Sequence, residues 1–253
     1  MDMLTKKRQR RYLTEKEQRW LQELVIFDES RDEKALHRLR LEIKKVRALV
    51  ELAKVQSGKR AGVHFSGMKK MFREAGVIRD AGSQVRYLEE RNLLSKEHKD
   101  EQTRSIRLAA DAFAAHIHLY RKKGKKASRR LKTVMRTIHK GRIHRWYARE
   151  IIRTGILLGS SVDDLHEARK TIKSLLYVHK LLPVAITQLI RLNTEYLDRL
   201  QESIGQWHDA VVAIIARTED NPAGKPAVYR ECLEKEQAVR ALAEDFHRKV
   251  HML

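Results

Sequence analysis

The chain has 253 residues, 42% of them hydrophobic, and sets 54 Lys and Arg against 33 Asp and Glu for a formal net charge of +21. This composition excludes a disordered tail, and no apolar run approaches the ~20 residues of a spanning helix, which excludes a protein of the membrane interior. The charge lies far beyond the magnitude of about 2 to 8 that keeps a small domain soluble, and it points to a polyanionic partner: nucleic acid, a phosphate polymer or an anionic surface.

The opening MDMLTKKRQRRYLTEK is basic, but no apolar stretch follows it. It is read as a ragged terminus and not as a secretory signal. Beyond it, apolar residues recurring at three and four predict helices over 14–28, 32–56, 66–76, 81–94, 97–122, 126–156, 162–182, 184–204, 207–218 and 227–251. Leu36, Leu39, Ile43, Val46 and Val50 make one core stripe, and Leu189, Leu192, Tyr196 and Leu200 another. Gly58, Gly62, Gly67, Gly124, Gly159 and Gly224 mark apparent breaks. Ser161, Asp163 and Asp164 supply capping side chains for the 162–182 helix, and Asn221–Pro226 is the clearest loop. Sustained alternation of β-branched residues is missing, so the expected fold class is all-α, without strands. The single cysteine, Cys232, allows no internal disulfide; it fits a reducing, cytoplasmic setting and reads as a small buried residue.

The helix over 32–56 carries an unusual row. His37, Arg40, Lys44 and Arg47 are spaced by three, four and three residues, which keeps them within an arc of roughly 80°. Acid to neutralise them is scarce: Glu33 could reach His37, and Glu42 points elsewhere. The apolar stripe runs beside the row, so these cations sit at the edge of the core, where partial shielding strengthens their pull on an anion.

The row occurs twice. LHRLRLEIK from Leu36 aligns with LHEARKTIK from Leu165, matching Leu36, His37, Arg40, Ile43 and Lys44 to Leu165, His166, Arg169, Ile172 and Lys173 at an offset of 129 residues. GVIRDA from Gly76 and GQWHDA from Gly205 match Gly76, Asp80 and Ala81 to Gly205, Asp209 and Ala210 at the same offset of 129. Two motifs in one register predict a tandem duplication, with helical-bundle repeats at about 14–124 and about 125–253. Equivalent rows in a pseudo-symmetric pair could then face a shared cleft.

These residues resemble the CHAD family, the conserved histidine α-helical domain. The likeness rests on L-H-x-x-R-x-x-I-K-x-x-R and a later G-x-x-R-D-A, both repeated, and it runs from about residue 20 to the end. It implies a single CHAD-like domain over 1–253 made of two four-helix bundles around a basic central groove. It also implies binding of inorganic polyphosphate, often at polyphosphate granules in the cytoplasm. The binding candidates it carries over are His37, Arg40, Lys44 and Arg47 in the first copy, and His166, Arg169 and Lys173 in the second. Leu176 stands where the first copy has Arg47. Catalysis is not implied, because many family members are fused to a phosphate-processing domain that is not seen here.

The residue chemistry suits that ligand. Arg offers a planar fork to two phosphate oxygens, Lys a flexible point charge, and His one or two donors. The forks of Arg40 and Arg169 are expected to aim at the ligand and not at the core. From Ala112 to Arg149 there are thirteen Lys and Arg and no acid. Within that stretch Lys125, Arg129, Lys132, Arg136 and Lys140 fall near one helix face and would extend a phosphate track. Lys69, Lys70 and Arg73 are further candidates.

Asp80 and Asp209 are expected to play structural parts, capping the helices that begin after them or pairing with a motif Arg or Lys. Metal and cofactor signals are lacking: His116 and His118 point to opposite helix sides, and His166 has no second histidine one turn on. The reading is therefore a non-enzymatic polyphosphate-binding protein that takes no cofactor, with other polyanions as possible ligands and no membrane partner. The alternative is an RNA- or single-stranded DNA-binding helical protein. Only 6% of residues are aromatic and they do not interleave with the rows, which leaves little for base stacking.

Overall fold

The computed structural model describes residues 3–58, 60–91, 93–216 and 225–251. Among them are eleven helices and one two-residue ladder, so the all-α expectation holds with a small exception. The chain divides into two compact units. The N-terminal unit takes residues 3–86 and 94–140, and the C-terminal unit takes 87–93 and 141–253.

The N-terminal unit begins with β1 (Met3–Leu4) and α1 (Lys6–Ser30). From Met3 onward the opening segment is not ragged. The Thr5 hydroxyl accepts from the Arg8 N–H at 3.2 Å and starts α1 eight residues earlier than hydrophobic periodicity indicates. The buried Gln9 amide donates to the carbonyls of Leu4 (3.1 Å) and Arg136 (2.7 Å), which ties the first turn to the end of the unit. Leu13, Trp20, Leu24 and Phe27 then line the buried face of α1. Arg31 ends the helix in the left-handed region at φ 55°, with its N–H on the Phe27 carbonyl. Asp32 caps α2 (Glu33–Ser57), accepting from the Lys34 N–H at 2.9 Å.

The α2 stripe is buried as expected, with Leu36, Leu39, Ile43, Val46 and Val50 each at most 1% exposed. At ~1.5–3 kcal/mol per buried aliphatic side chain, that stripe anchors the helix firmly. Gly58 ends α2 at φ 60°, a conformation that glycine tolerates without strain.

α3 (Arg60–Glu89), α4 (Lys96–Ala115), α5 (Ile117–Val134) and β2 (Ile138–His139) follow. α1 packs against α2 and α5, and α4 against α5. Met3 and Leu4 pair antiparallel with His139 and Ile138, a ladder that helical periodicity could not announce.

Several expected boundaries move. α3 runs unbroken through Gly62, Gly67, Gly76 and Asp80, where two helices were expected. The helix expected over 97–122 breaks at His116, and the one expected over 126–156 is interrupted by Met135–Thr137 and β2. Gly124 lies inside α5, where a Cβ would come within 2.6 Å of the Trp20 ring. Gly62, Gly67 and Gly124 therefore admit neighbours and do not end helices.

In the C-terminal unit, α6 (Lys140–Gly159) is followed by α7 (Asp164–His179), α8 (Val184–Ile190), α9 (Thr194–Ala216), α10 (Lys225–Ala243) and α11 (Phe246–Lys249). α7 and α10 each pack on α9. The capping expectation for α7 fails: Asp163 makes no side-chain cap, and Ser161 donates instead to the Asp164 carboxylate at 2.9 Å. The break expected before residue 207 lies at Arg191, in the left-handed region at φ 50°. Leu189 is consequently 57% exposed and drops out of the stripe, while Leu192, Tyr196 and Leu200 stay buried. A left-handed Asp245 (φ 54°) splits the helix expected over 227–251. Asn221–Gly224 of the expected loop lie outside the described residues, and Lys225 and Pro226 already belong to α10. Cys232 is only half-buried, with burial pushing its thiol pKa up.

Candidate functional site

The first row lies along α2 beside the buried stripe. His37 and Arg47 are exposed, and Arg40 and Lys44 are half-buried. Two nearby acids meet other cations. Glu42 is buried against Lys45 (2.5 Å) and Lys16 (3.5 Å), and Glu33 meets Arg86 at 2.8 Å.

Arg40 does not stand out into solvent. Its Nη1 donates to the Phe72 carbonyl of α3 at 2.5 Å, and its guanidinium carbon sits 4.3 Å from the centre of the Phe72 ring. Nη2 lies 3.7 Å from Asp80, and the side chain is 14% exposed. Burial pushes the Arg40 pKa down; Asp80 opposes that shift and Arg79 adds to it. Beneath the guanidinium lies Gly76, where a Cβ would come within 2.8 Å of Arg40 Cζ. Asp80 thus caps no helix. It sits inside α3 and pairs with Arg40 and with Arg79, the latter at 2.9 Å.

Two recesses between α2 and α3 flank this crossing. One, of about 310 Å³, carries Arg47, Lys54 and Lys69 above Phe65 and Phe72. The other, of about 340 Å³, carries Lys34, His37, Arg79 and Arg86. Lys69, Lys70 and Arg73 are exposed on α3, and Lys70 lies 3.6 Å from Glu74.

In the C-terminal unit α7 and α9 repeat the crossing. Arg169 donates from Nε to the Gln201 carbonyl at 3.0 Å, and a Cβ on Gly205 would come within 2.8 Å of Arg169 Cζ. Phe72 and Gln201, like Gly76 and Gly205, stand 129 residues apart. The His166 ring centre is 4.7 Å from that of His208, and its Nδ1 is buried with no hydrogen-bond partner. Burial pushes the His166 pKa down, helped by His208 and the nearby cations and opposed by Glu167. Lys173 is half-buried, Leu176 is buried in the place of Arg47, and Asp209 is exposed in the interior of α9, where it caps nothing.

A family model described as the CHAD domain matches residues 6–217. The chain belongs to the CHAD family. No curated protein and no solved structure matches it.

The acid-free stretch of this CHAD domain does not form one continuous face. α5 ends at Val134, so Arg136 and Lys140 leave the line of Lys125 and Arg129. Lys132 turns to Glu17 at 2.8 Å, and Arg136 Nη1 donates to the Thr133 and Met135 carbonyls at 2.9 and 3.2 Å. Arg129 remains exposed. Residue-by-residue reading missed the Phe72 and Gln201 carbonyls, and it missed Arg79 and His208 beside the motif aspartates. A signal was present: all four positions obey the motif offset. Among the described residues, no group of three or more His, Cys, Asp or Glu could hold a metal ion, and no helix is long and apolar enough to cross a membrane.

Proposed function

We propose that this CHAD domain binds inorganic polyphosphate without transforming it, through the cations of its two motif helices. His37, Lys44 and Arg47 serve in the N-terminal unit and His166 and Lys173 in the C-terminal unit, while Arg40 and Arg169 of the same rows are turned onto the carbonyls of Phe72 and Gln201. Lys69, Lys70, Arg73, Arg129 and Arg136 add charge around them, while Lys132 is engaged by Glu17. Membership of the CHAD family is the observation that carries this reading, and the repeated His-Arg-Lys register on a chain of +21 supports it. A cytoplasmic protein recruited to polyphosphate granules follows from the same reading, and a tandem duplication accounts for the common offset of both motifs.

The test is displacement of labelled polyphosphate by unlabelled polyphosphate or single-stranded RNA, compared per phosphate. Preferential displacement by polyphosphate, with affinity falling steeply as salt rises, is expected from release of condensed counterions. Equal displacement by RNA would favour a nucleic-acid-binding protein. Chain length decides whether both rows serve one polymer, since a second contact on the same molecule is effectively intramolecular. Affinity per phosphate that does not change with length would mean two independent sites.

A further inference from the structure

We propose that Arg40 and Arg169 are positioning residues, each clasping its motif helix to the helix of the Gly-Asp motif and so setting the neighbouring cations in place for the anion. This assignment rests on the polyphosphate reading for what the neighbours do, and on geometry alone for what the arginines do.

The same construction appears twice. In each unit a guanidinium donates to a helix carbonyl four residues before a glycine, Phe72 before Gly76 and Gln201 before Gly205. Such a carbonyl already accepts one bond within its own helix, and its second lone pair is available to an outside donor. The guanidinium can reach it only by lying on the backbone, which requires the helix to lack a side chain at that point. A Cβ at either glycine would come within 2.8 Å of the arginine Cζ. The motif glycine and the motif arginine are therefore two halves of one device.

Arginine suits this task and lysine does not. A planar cation can stack on Phe72 at 4.3 Å and still donate in its plane, whereas a tetrahedral ammonium cannot do both. Arg40 also keeps Nη2 towards Asp80 at 3.7 Å, which steadies the fork. With 14% of its side chain exposed, Arg40 offers little surface to a polymer, while Arg47, two turns along α2, is exposed.

The experiment is a cycle on the full chain: Arg40→Met, Arg40→Lys, Gly76→Ala and the Arg40→Met, Gly76→Ala double variant. Each is read by thermal unfolding and by the slope of log affinity for long-chain polyphosphate against log salt. Lys44→Gln serves as the comparison, because a lost phosphate contact removes roughly 0.7–0.9 from that slope. The clasp predicts lower Tm for Arg40→Met and for Gly76→Ala, although the second keeps every charge. The double variant should be no worse than the poorer single, since both changes open the same contact. Arg40→Lys should behave like Arg40→Met in Tm, and its salt slope should stay near that of the wild type.

A wild-type Tm for Arg40→Met together with a slope loss matching Lys44→Gln would make Arg40 a phosphate ligand and overturn the proposal. So would a Gly76→Ala protein as stable as wild type. If the wild type fails to bind polyphosphate, the functional reading falls, and the thermal half of the cycle still decides the clasp. Should the Arg40 variants fail to fold, Arg169→Lys and Gly205→Ala apply the same criteria to the second copy.

Discussion

Carried across the 129-residue offset, several cations of the α2–α3 face land on different chemistry in α7 and α9. Arg47 becomes Leu176, Lys69 becomes Asp198, Arg73 becomes Glu202 and Arg79 becomes His208, whereas Arg40 and Gly76 persist as Arg169 and Gly205. Leu176 is buried, and Asp198 and Glu202 are exposed acids, Asp198 accepting from the Gln201 amide at 3.1 Å. The pair that joins helices persists, as do His37 and Lys44 in His166 and Lys173, and what changes is exposed charge further along the face. The comparison separates two uses of a cation, one that holds the fold and one left facing solvent, and the second is lost at three of these positions in the C-terminal unit.

The largest expected effect comes from making the first face resemble the second. Arg47→Leu, Lys69→Asp, Arg73→Glu should lower polyphosphate affinity about a thousandfold at low salt, taking charge-assisted contacts as worth ~1.5 kcal/mol or more each. The salt slope should also fall by roughly two to three. Because all three residues are exposed, Tm should change little. Retention of half the wild-type affinity would place the binding charge elsewhere. The reverse graft, Asp198→Lys with Glu202→Arg, should strengthen binding about tenfold in the same titration.

A smaller effect separates the units by pH. Burial holds both His166 and His179 of α7 below the ordinary histidine pKa. Below about pH 6.5 the unfolded chain therefore takes up protons that the folded chain refuses. The stabilisation is fully present above that pH and is lost as the pH falls. Tm should drop by a few degrees between pH 7.5 and 5, and His179→Val, which installs the residue found at Val50, should reduce that drop. A bound polyanion acts on His166 in the opposite sense, favouring its charged form. Acid should loosen the fold and tighten binding, and a parallel change in both would contradict this assignment of His166.

The smallest effect separates two cations of α5. Lys132→Gln breaks the contact with Glu17 and should cost ~0.5–1 kcal/mol of stability with affinity nearly unchanged. Arg129→Gln, at an exposed position, should do the opposite.

How much of this was legible follows from what each signal encodes. The α2 stripe was plain because 3.6-residue periodicity records one helix facing one core, and the motif offset was plain because it is internal to the chain. The glycines were misread, since composition does not distinguish a glycine that ends a helix from one that receives a side chain. Gly76 is explained only by Arg40, and Gly124 only by Trp20. The inward turn of the arginines was hidden for a related reason: the partner is a backbone carbonyl, which every residue carries and no sequence pattern marks. The break at Met135 escaped because a two-residue ladder has no periodicity of its own.

That ladder has a consequence for the order in which the protein is made. Met3 and Leu4 are paired by residues 138 and 139, and the Gln9 amide is satisfied partly at Arg136. Met3 and Leu4 leave the ribosome long before the residues that pair with them, and are thus among the last to find their places in the N-terminal unit. At ~5–20 residues per second, a nascent chain spends several seconds with this segment unsealed and Leu4 without cover. A partner or chaperone that recognises the uncovered segment has those seconds to act, and the window closes when Ile138 and His139 emerge.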